Sequence, residues 1–77
     1  MSYDEIYNTE NHAQCLIGLA KSQISCAEKV AFYSYPHHEL ELSRKEKEQY
    51  KQYLKDAKKY LKVVLNDIKI MEELCKQ

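Results

Sequence analysis

Residues 43–75 read SRKEKEQYKQYLKDAKKYLKVVLNDIKIMEELC, and this stretch decides the fold. Ser43 and Glu46 have the spacing of a capping box, in which each side chain satisfies a free backbone N–H of the other residue at a helix start. Apolar residues then recur in alternating steps of four and three, the heptad repeat of a helix that packs along its whole length. This first stripe contains Tyr50, Leu54, Ala57, Leu61, Val64, Ile68, Met71 and Cys75. The sequence therefore predicts a long second helix over about residues 44–75.

The first half of the chain repeats this design. Ser2 and Glu5 have the spacing of another capping box. A stripe with heptad spacing follows, and it contains Ala13, Ile17, Ala20, Ile24, Ala27 and Ala31. Because alanine takes every second position of this stripe in its first half, the backbones of two helices can approach closely along it. We therefore expect the two first stripes to pack against each other.

Pro36 marks the connector between the helices. Proline has no backbone N–H to donate, and it pushes the preceding residue out of helical geometry. We therefore predict a first helix over about residues 3–34 and a connector over residues 35–43. Two helices of similar length with a short connector predict an antiparallel helical hairpin, which makes residues 1–77 a single all-α domain.

Each helix also carries a second stripe, rotated by about 100° from the first. The residues of this stripe that we predict to form an interface are Leu16, Leu19, Cys26, Val30 and Tyr33 in the first helix and Tyr53, Tyr60, Val63, Ile70 and Leu74 in the second. Gln23, Asp56 and Asp67 complete the two stripes. A hairpin needs one stripe per helix, whereas a bundle of more helices needs two. We therefore expect the protein to bind a second copy, most simply in a four-helix bundle, or another protein.

The cysteines and carboxylates give no sign of catalysis. Cys15, Cys26 and Cys75 are odd in number and lack the close spacing of a disulfide framework or a zinc site. They predict reduced thiols in a cytoplasmic protein, with Cys26 and Cys75 buried and Cys15 more exposed. We find no nucleophile beside a base, no phosphate-binding loop and no apolar run that could span a membrane. We therefore expect a protein that is not an enzyme and holds no cofactor.

The charge is balanced overall but unevenly distributed. Residues 1–42 contain six acids against two lysines, and residues 43–77 contain ten basic residues against six acids. A row of basic residues follows one outward face of the second helix, formed by Arg44, Lys51, Lys55, Lys58, Lys62 and Lys69. Such a row is typical of a solvated helix face, and it could also contact phosphates. The zero net charge and the lack of a helix-turn-helix spacing argue against a dedicated DNA-binding protein.

A few polar residues are candidates for binding a small anion. Tyr53 and Tyr60 lie one heptad apart with Asp56 between them, an arrangement typical of a polar interface that could also stack a nucleobase. Residues of the connector and the basic row make up the candidate anion or nucleotide site: Tyr35, His37, His38, Arg44, Lys51, Lys55, Lys58 and Lys62. The adjacent histidines lack the spacing of a helical zinc site. We expect no metal centre.

The function that these features favour is binding. We expect a small intracellular regulator or inhibitor that docks on another macromolecule. Eleven of its twelve basic residues are lysine and seven residues are tyrosine, which is typical of AT-rich genomes such as those of Gram-positive bacteria and phages. The composition therefore predicts an AT-rich source, either a Gram-positive bacterium or a phage or other mobile element. One alternative is an oligomer that captures a signalling nucleotide between protomers, as a sponge against host immunity. A second alternative is nucleic-acid binding through the basic row.

Overall fold

The protein forms two long helices that pack side by side. The computed structural model describes the backbone of residues 3–38 and 42–76 and the side chains of residues 3–32 and 42–76. Helix α1 spans Tyr3–His38 and helix α2 spans Arg44–Cys75. The two helices contact each other along their length and form an antiparallel rod of 56 × 14 × 14 Å. The predicted all-α hairpin is confirmed.

The start of α2 has the predicted capping box. Ser43 is in the extended conformation, and its backbone N–H donates to Glu46 Oε1 over 2.8 Å. The backbone N–H of Glu46 donates in return to Ser43 Oγ over 3.2 Å. The Lys47 N–H donates to the Ser43 carbonyl, which closes the first turn. These bonds satisfy backbone donors that would otherwise lack partners, and they fix where α2 begins.

The end of α1 differs from the prediction. The helix continues past Ser34 and through Pro36 to His38, so the break between the helices is shorter than the predicted connector. A proline removes one hydrogen bond from a helix, and near the last turn this loss need not end the helix. The predicted capping box at Ser2 lies outside the described residues.

The hairpin interface is built from small side chains. The buried apolar residues are Ala13, Ala20 and Ala27 in α1 and Ala57, Val64 and Leu74 in α2. No described residue with a large side chain is fully buried. The alanines lie one heptad apart and form a column that lets α2 approach closely, as the sequence predicted.

The stripe by which α2 contacts α1 is not the one predicted. Its buried and half-buried residues are Tyr50, Tyr53, Ala57, Tyr60, Val64, Asp67, Met71 and Leu74. Leu54, Leu61, Ile68 and Cys75 were expected in this interface, and all four are exposed. The contact line runs between the two stripes of α2 and takes alternate residues from each. Both sets of residues have the same steps of three and four, so spacing could not distinguish them.

The hairpin leaves much more surface exposed than a compact protein of its size. Its accessible surface is 6342 Å². A compact monomer of this mass would expose about 4,900 Å². The radius of gyration is 17.3 Å, against about 11–12 Å for a compact domain of the same length. The difference in surface area is about 1,400 Å² by the same scaling, and it is in keeping with two helices that have only one neighbour each.

Candidate interaction surfaces

One polar contact fixes how the two helices face each other. His12 Nδ1 of α1 lies 2.6 Å from Asp67 Oδ2 of α2, across the edge of the hairpin interface. Asp67 is only 4% exposed, while the His12 side chain is 57% exposed. The carboxylate is therefore the buried member of the pair, and the imidazole is the exposed one. Heptad spacing places Asp67 in the second stripe, and nothing in the sequence pattern predicted its contact with His12.

The His12–Asp67 contact shows that both second stripes lie on the same flank of the hairpin. Residues seven apart share one side of a helix, so Leu19 and Cys26 lie on the flank of His12. By the same spacing, Tyr60 and Tyr53 lie on the flank of Asp67. We define the tyrosine flank as Leu16, Leu19, Cys26, Val30, Tyr53, Tyr60, Val63 and Ile70.

The tyrosine flank is only partly covered by the hairpin. Leu19, Val63 and Ile70 are exposed, and the two tyrosines are half-buried. The other residues predicted for this interface are less exposed. Leu16, Cys26 and Val30 are half-buried, and Leu74 is buried within the hairpin itself. The side chain of Tyr33 lies outside the described residues.

Asp56, which lies between Tyr53 and Tyr60 in sequence, has a hydrogen-bond partner on its own helix. It accepts from Gln52 Nε2, one turn earlier, over 3.0 Å. The tyrosine flank therefore combines apolar side chains with polar groups.

The opposite flank is aliphatic. It lies on the other side of the alanine column, and we define the aliphatic flank as Ile17, Ile24, Leu54, Leu61 and Ile68. Ile17 is half-buried, and the other four are exposed by 38–47%. Leu65 lies at its outer edge and is 67% exposed. This flank contains the large side chains that were expected inside the hairpin, and heptad spacing aligns those of α2 in one row.

The basic row of α2 lies in solvent. Its six members, from Arg44 to Lys69, are all exposed. A shallow depression of about 260 Å³ is lined by Lys51, Leu54, Lys55 and Lys58. Residues of α2 alone line it, so it is a surface feature and not a cleft between elements. The side chains of Tyr35, His37 and His38 lie outside the described residues.

The cysteines are only partly as predicted. Cys26 is half-buried, and Cys15 is exposed as expected. Cys75 is also exposed, contrary to the prediction that it is buried. Cys75 continues the row of Leu54, Leu61 and Ile68 on the same side of α2, so it is exposed for the same reason as they are. Within the described residues all three thiols are free, and no group of three potential metal ligands occurs.

Comparisons with known proteins add no functional information. No family model matches the chain, and neither a curated protein nor a solved structure matches it. Within the described residues, neither helix has a stretch that is long and apolar enough to cross a membrane. The two flanks and the basic row are therefore the features from which a function can be argued.

Proposed function

We propose that this protein acts by binding: two hairpins associate into a four-helix bundle, and the bundle docks on another macromolecule as a regulator or inhibitor. The observation that carries the proposal is the aliphatic flank. Leu54, Leu61 and Ile68 lie in one row at heptad spacing, and each is about two-fifths exposed. A row of this kind is typical of a helix that packs on a second neighbour.

The size of the exposed surface supports self-association. A hairpin of this mass exposes about 1,400 Å² more than a compact monomer. A stable protein interface removes about 800 Å² from each partner. One interface of ordinary size would therefore use roughly half of the excess. The hairpin buries mostly alanine on its own, and a second copy would supply the large aliphatic contacts that the monomer lacks.

The tyrosine flank is suited to a different partner. It combines exposed Leu19, Val63 and Ile70 with half-buried tyrosines. Interfaces that form and dissociate are enriched in tyrosine and are less apolar than those of permanent dimers. In a dimer joined through the aliphatic flanks, the two tyrosine flanks would face outward on opposite sides. We assign the binding of the macromolecular partner to this flank.

Sedimentation velocity over a range of protein concentrations tests the self-association. We expect the wild-type chain to sediment as a dimer, and the double variant L54K/L61K to sediment as a helical monomer. The matched control is V63K/I70K, which adds two lysines at similarly exposed positions of the tyrosine flank and should remain dimeric. A monomeric wild type would disprove self-association. A control that dissociates while L54K/L61K stays dimeric would show that the flanks are assigned the wrong way round.

The partner-binding role needs a second experiment. Quantitative mass spectrometry would compare the proteins that co-purify from host cells with the wild-type chain and with V63K/I70K. We expect at least one protein to be enriched with the wild type and lost with the variant, while the variant keeps its fold and its dimer. Equal recovery of every co-purifying protein with both chains would contradict the role of the tyrosine flank.

A phosphate-bearing ligand is the second candidate, and the exposed basic row favours it. Lys51, Lys55 and Lys58 surround a depression of about 260 Å³ beside Leu54. Calorimetric titration with a panel of nucleotides and with a DNA duplex would test this, at low salt and again at about 200 mM salt, where contacts to phosphates are strongly weakened. Heat that is lost in the K55A/K58A variant would favour this candidate, and no heat at low salt would remove it.

A further inference from the structure

We infer that the second copy packs on the aliphatic flank about a two-fold axis perpendicular to the helices, which crosses α2 at Leu61 and α1 near Ile17. This inference rests on the proposed self-association and specifies its geometry. Two identical chains with one closed interface are related by a two-fold axis. For flanks that face each other, that axis is either perpendicular or parallel to the helices, so only two bundle arrangements need to be compared.

The perpendicular axis places α2 antiparallel to α2 of the partner. With Leu61 on the axis, Leu61 meets the same residue of the second copy, and Leu54 meets the partner's Ile68. All three are exposed now. Leu61 is also close to the middle of α2, which runs from Arg44 to Cys75. The two hairpins would therefore overlap along nearly their whole length.

The charges beside this row are complementary under the same axis. Lys51 and Glu72 lie along the outer edge of the aliphatic flank, and both are exposed. An axis at Leu61 brings Lys51 opposite the partner's Glu72, and this pair forms twice. Lys58 comes opposite the partner's Leu65, where its aliphatic stem can cover that side chain. Within the aliphatic flank and its outer edge, no like charges of α2 face each other.

The same axis gives a neutral contact between the two α1 helices. The His12–Asp67 contact sets the level of one helix against the other, and it places Ile17 at the level of Leu61. Ile17 then lies opposite the same residue of the second copy. Lys21 comes opposite the partner's Gln14, and neither pair brings like charges together. The α1 side therefore adds no like-charge repulsion to the arrangement that α2 favours.

The parallel axis is less favourable. It would place α1 against the partner's α2 at the same level, with Lys51 opposite the partner's Glu28. It would also bring Lys21 opposite the partner's Lys58. The attraction and the repulsion each occur twice, so the charges give no net gain. Along the flank and its outer edge, the perpendicular axis has the attractive pair without the repulsive one, and it is favoured on this ground.

Cysteine crosslinking distinguishes the two arrangements. In a C15S/C26S/C75S background, confirmed by sedimentation to form the same dimer as the wild type, L61C places a thiol on the proposed axis. A disulfide needs Cα atoms within about 7 Å. We expect L61C to give a covalent dimer under mild oxidation. The matched control L65C is on the same flank, about one turn from the axis, and should remain uncrosslinked.

A charge exchange in the otherwise native chain gives an independent result. K51E alone and E72K alone should each weaken the dimer about tenfold, because two ion pairs become two repulsions. The double variant K51E/E72K should regain wild-type affinity, since the pairs re-form with reversed signs. The parallel axis predicts no such recovery.

The outcomes separate this inference from the proposed function. A wild-type monomer overturns both. A dimer in which L61C does not crosslink, and in which K51E/E72K does not recover, overturns the geometry and leaves self-association standing. Crosslinking of L65C in preference to L61C would show that the axis lies further along α2.

Discussion

The contact between His12 and Asp67 should respond asymmetrically to mutation, because the two side chains differ in exposure. Asp67 is 4% exposed, and His12 is the one hydrogen-bond partner seen for its carboxylate in the described part of the chain. In H12A the carboxylate stays buried without that partner, which costs about 1–3 kcal/mol. In D67A the histidine loses its carboxylate partner, but the His12 side chain is already 57% exposed, so water can replace that partner.

The expected stability changes follow from this difference. H12A should lower the free energy of unfolding by about 1–3 kcal/mol, which corresponds to a fall in Tm of roughly 5–20 °C for a domain of this size. D67A should change the free energy of unfolding by less than about 1 kcal/mol, because alanine is a better helix former than aspartate and offsets part of the lost contact. The double variant H12A/D67A should be close to D67A, since the unpaired buried carboxylate is then gone.

Thermal and urea unfolding at neutral pH, followed by circular dichroism, would measure these changes. All variants must be compared at one protein concentration, because self-association raises apparent stability. Equal losses in H12A and D67A, or a larger loss in D67A, would refute the reasoning. A negligible loss in H12A would show that the Asp67 carboxylate finds water in solution.

Three further substitutions test the fold by unfolding measurements. A20L should lower the free energy of unfolding by about 1–3 kcal/mol, since the leucine side chain would enter the closest approach of the helices. The control S22L, on the exposed face, should change the stability little. Equal effects of the two substitutions would contradict close packing. G18A should raise the free energy of unfolding by about 0.5–1 kcal/mol, because alanine is the better helix former and a Cβ there meets nothing within 4 Å. A loss of stability would mean that another chain covers this position. S43A should cost about 1 kcal/mol by removing the capping box, and an unchanged Tm would argue that this cap does not hold the start of α2 in solution.

The sequence was sufficient to predict the hairpin. The Ser43 capping box and the heptad spacing after it are local signals, and each gives the position of α2 within a residue or two. The alanines at positions 13, 20 and 27 predicted a close approach of the helices, and they are the most buried column of α1. Pro36 was misleading because one missing hydrogen bond near a helix end did not stop the helix.

The sequence could not predict which stripe of α2 faces α1. Leu61 and Ile68 are more apolar than Tyr60 and Asp67, so apolarity alone assigned the wrong residues to the interface. The buried Asp67 carboxylate is paired with His12, which is fifty-five positions away in sequence. That contact is a property of the folded pair of helices, and no periodicity within one helix contains it. The His12–Asp67 contact is also what determines which apolar side chains of the two helices share a flank.

Native mass spectrometry of the protein, purified from cells without added ligand, is the measurement that decides whether the hairpin self-associates. The claim under test is that a second copy covers the aliphatic flank of the hairpin. We predict a dominant species at twice the chain mass of 9.2 kDa, with no additional mass. A species at the single chain mass, over the whole range of concentrations at which the protein stays soluble, would contradict the claim. A dimer that carries the additional mass of a nucleotide would transfer the main role to the basic row.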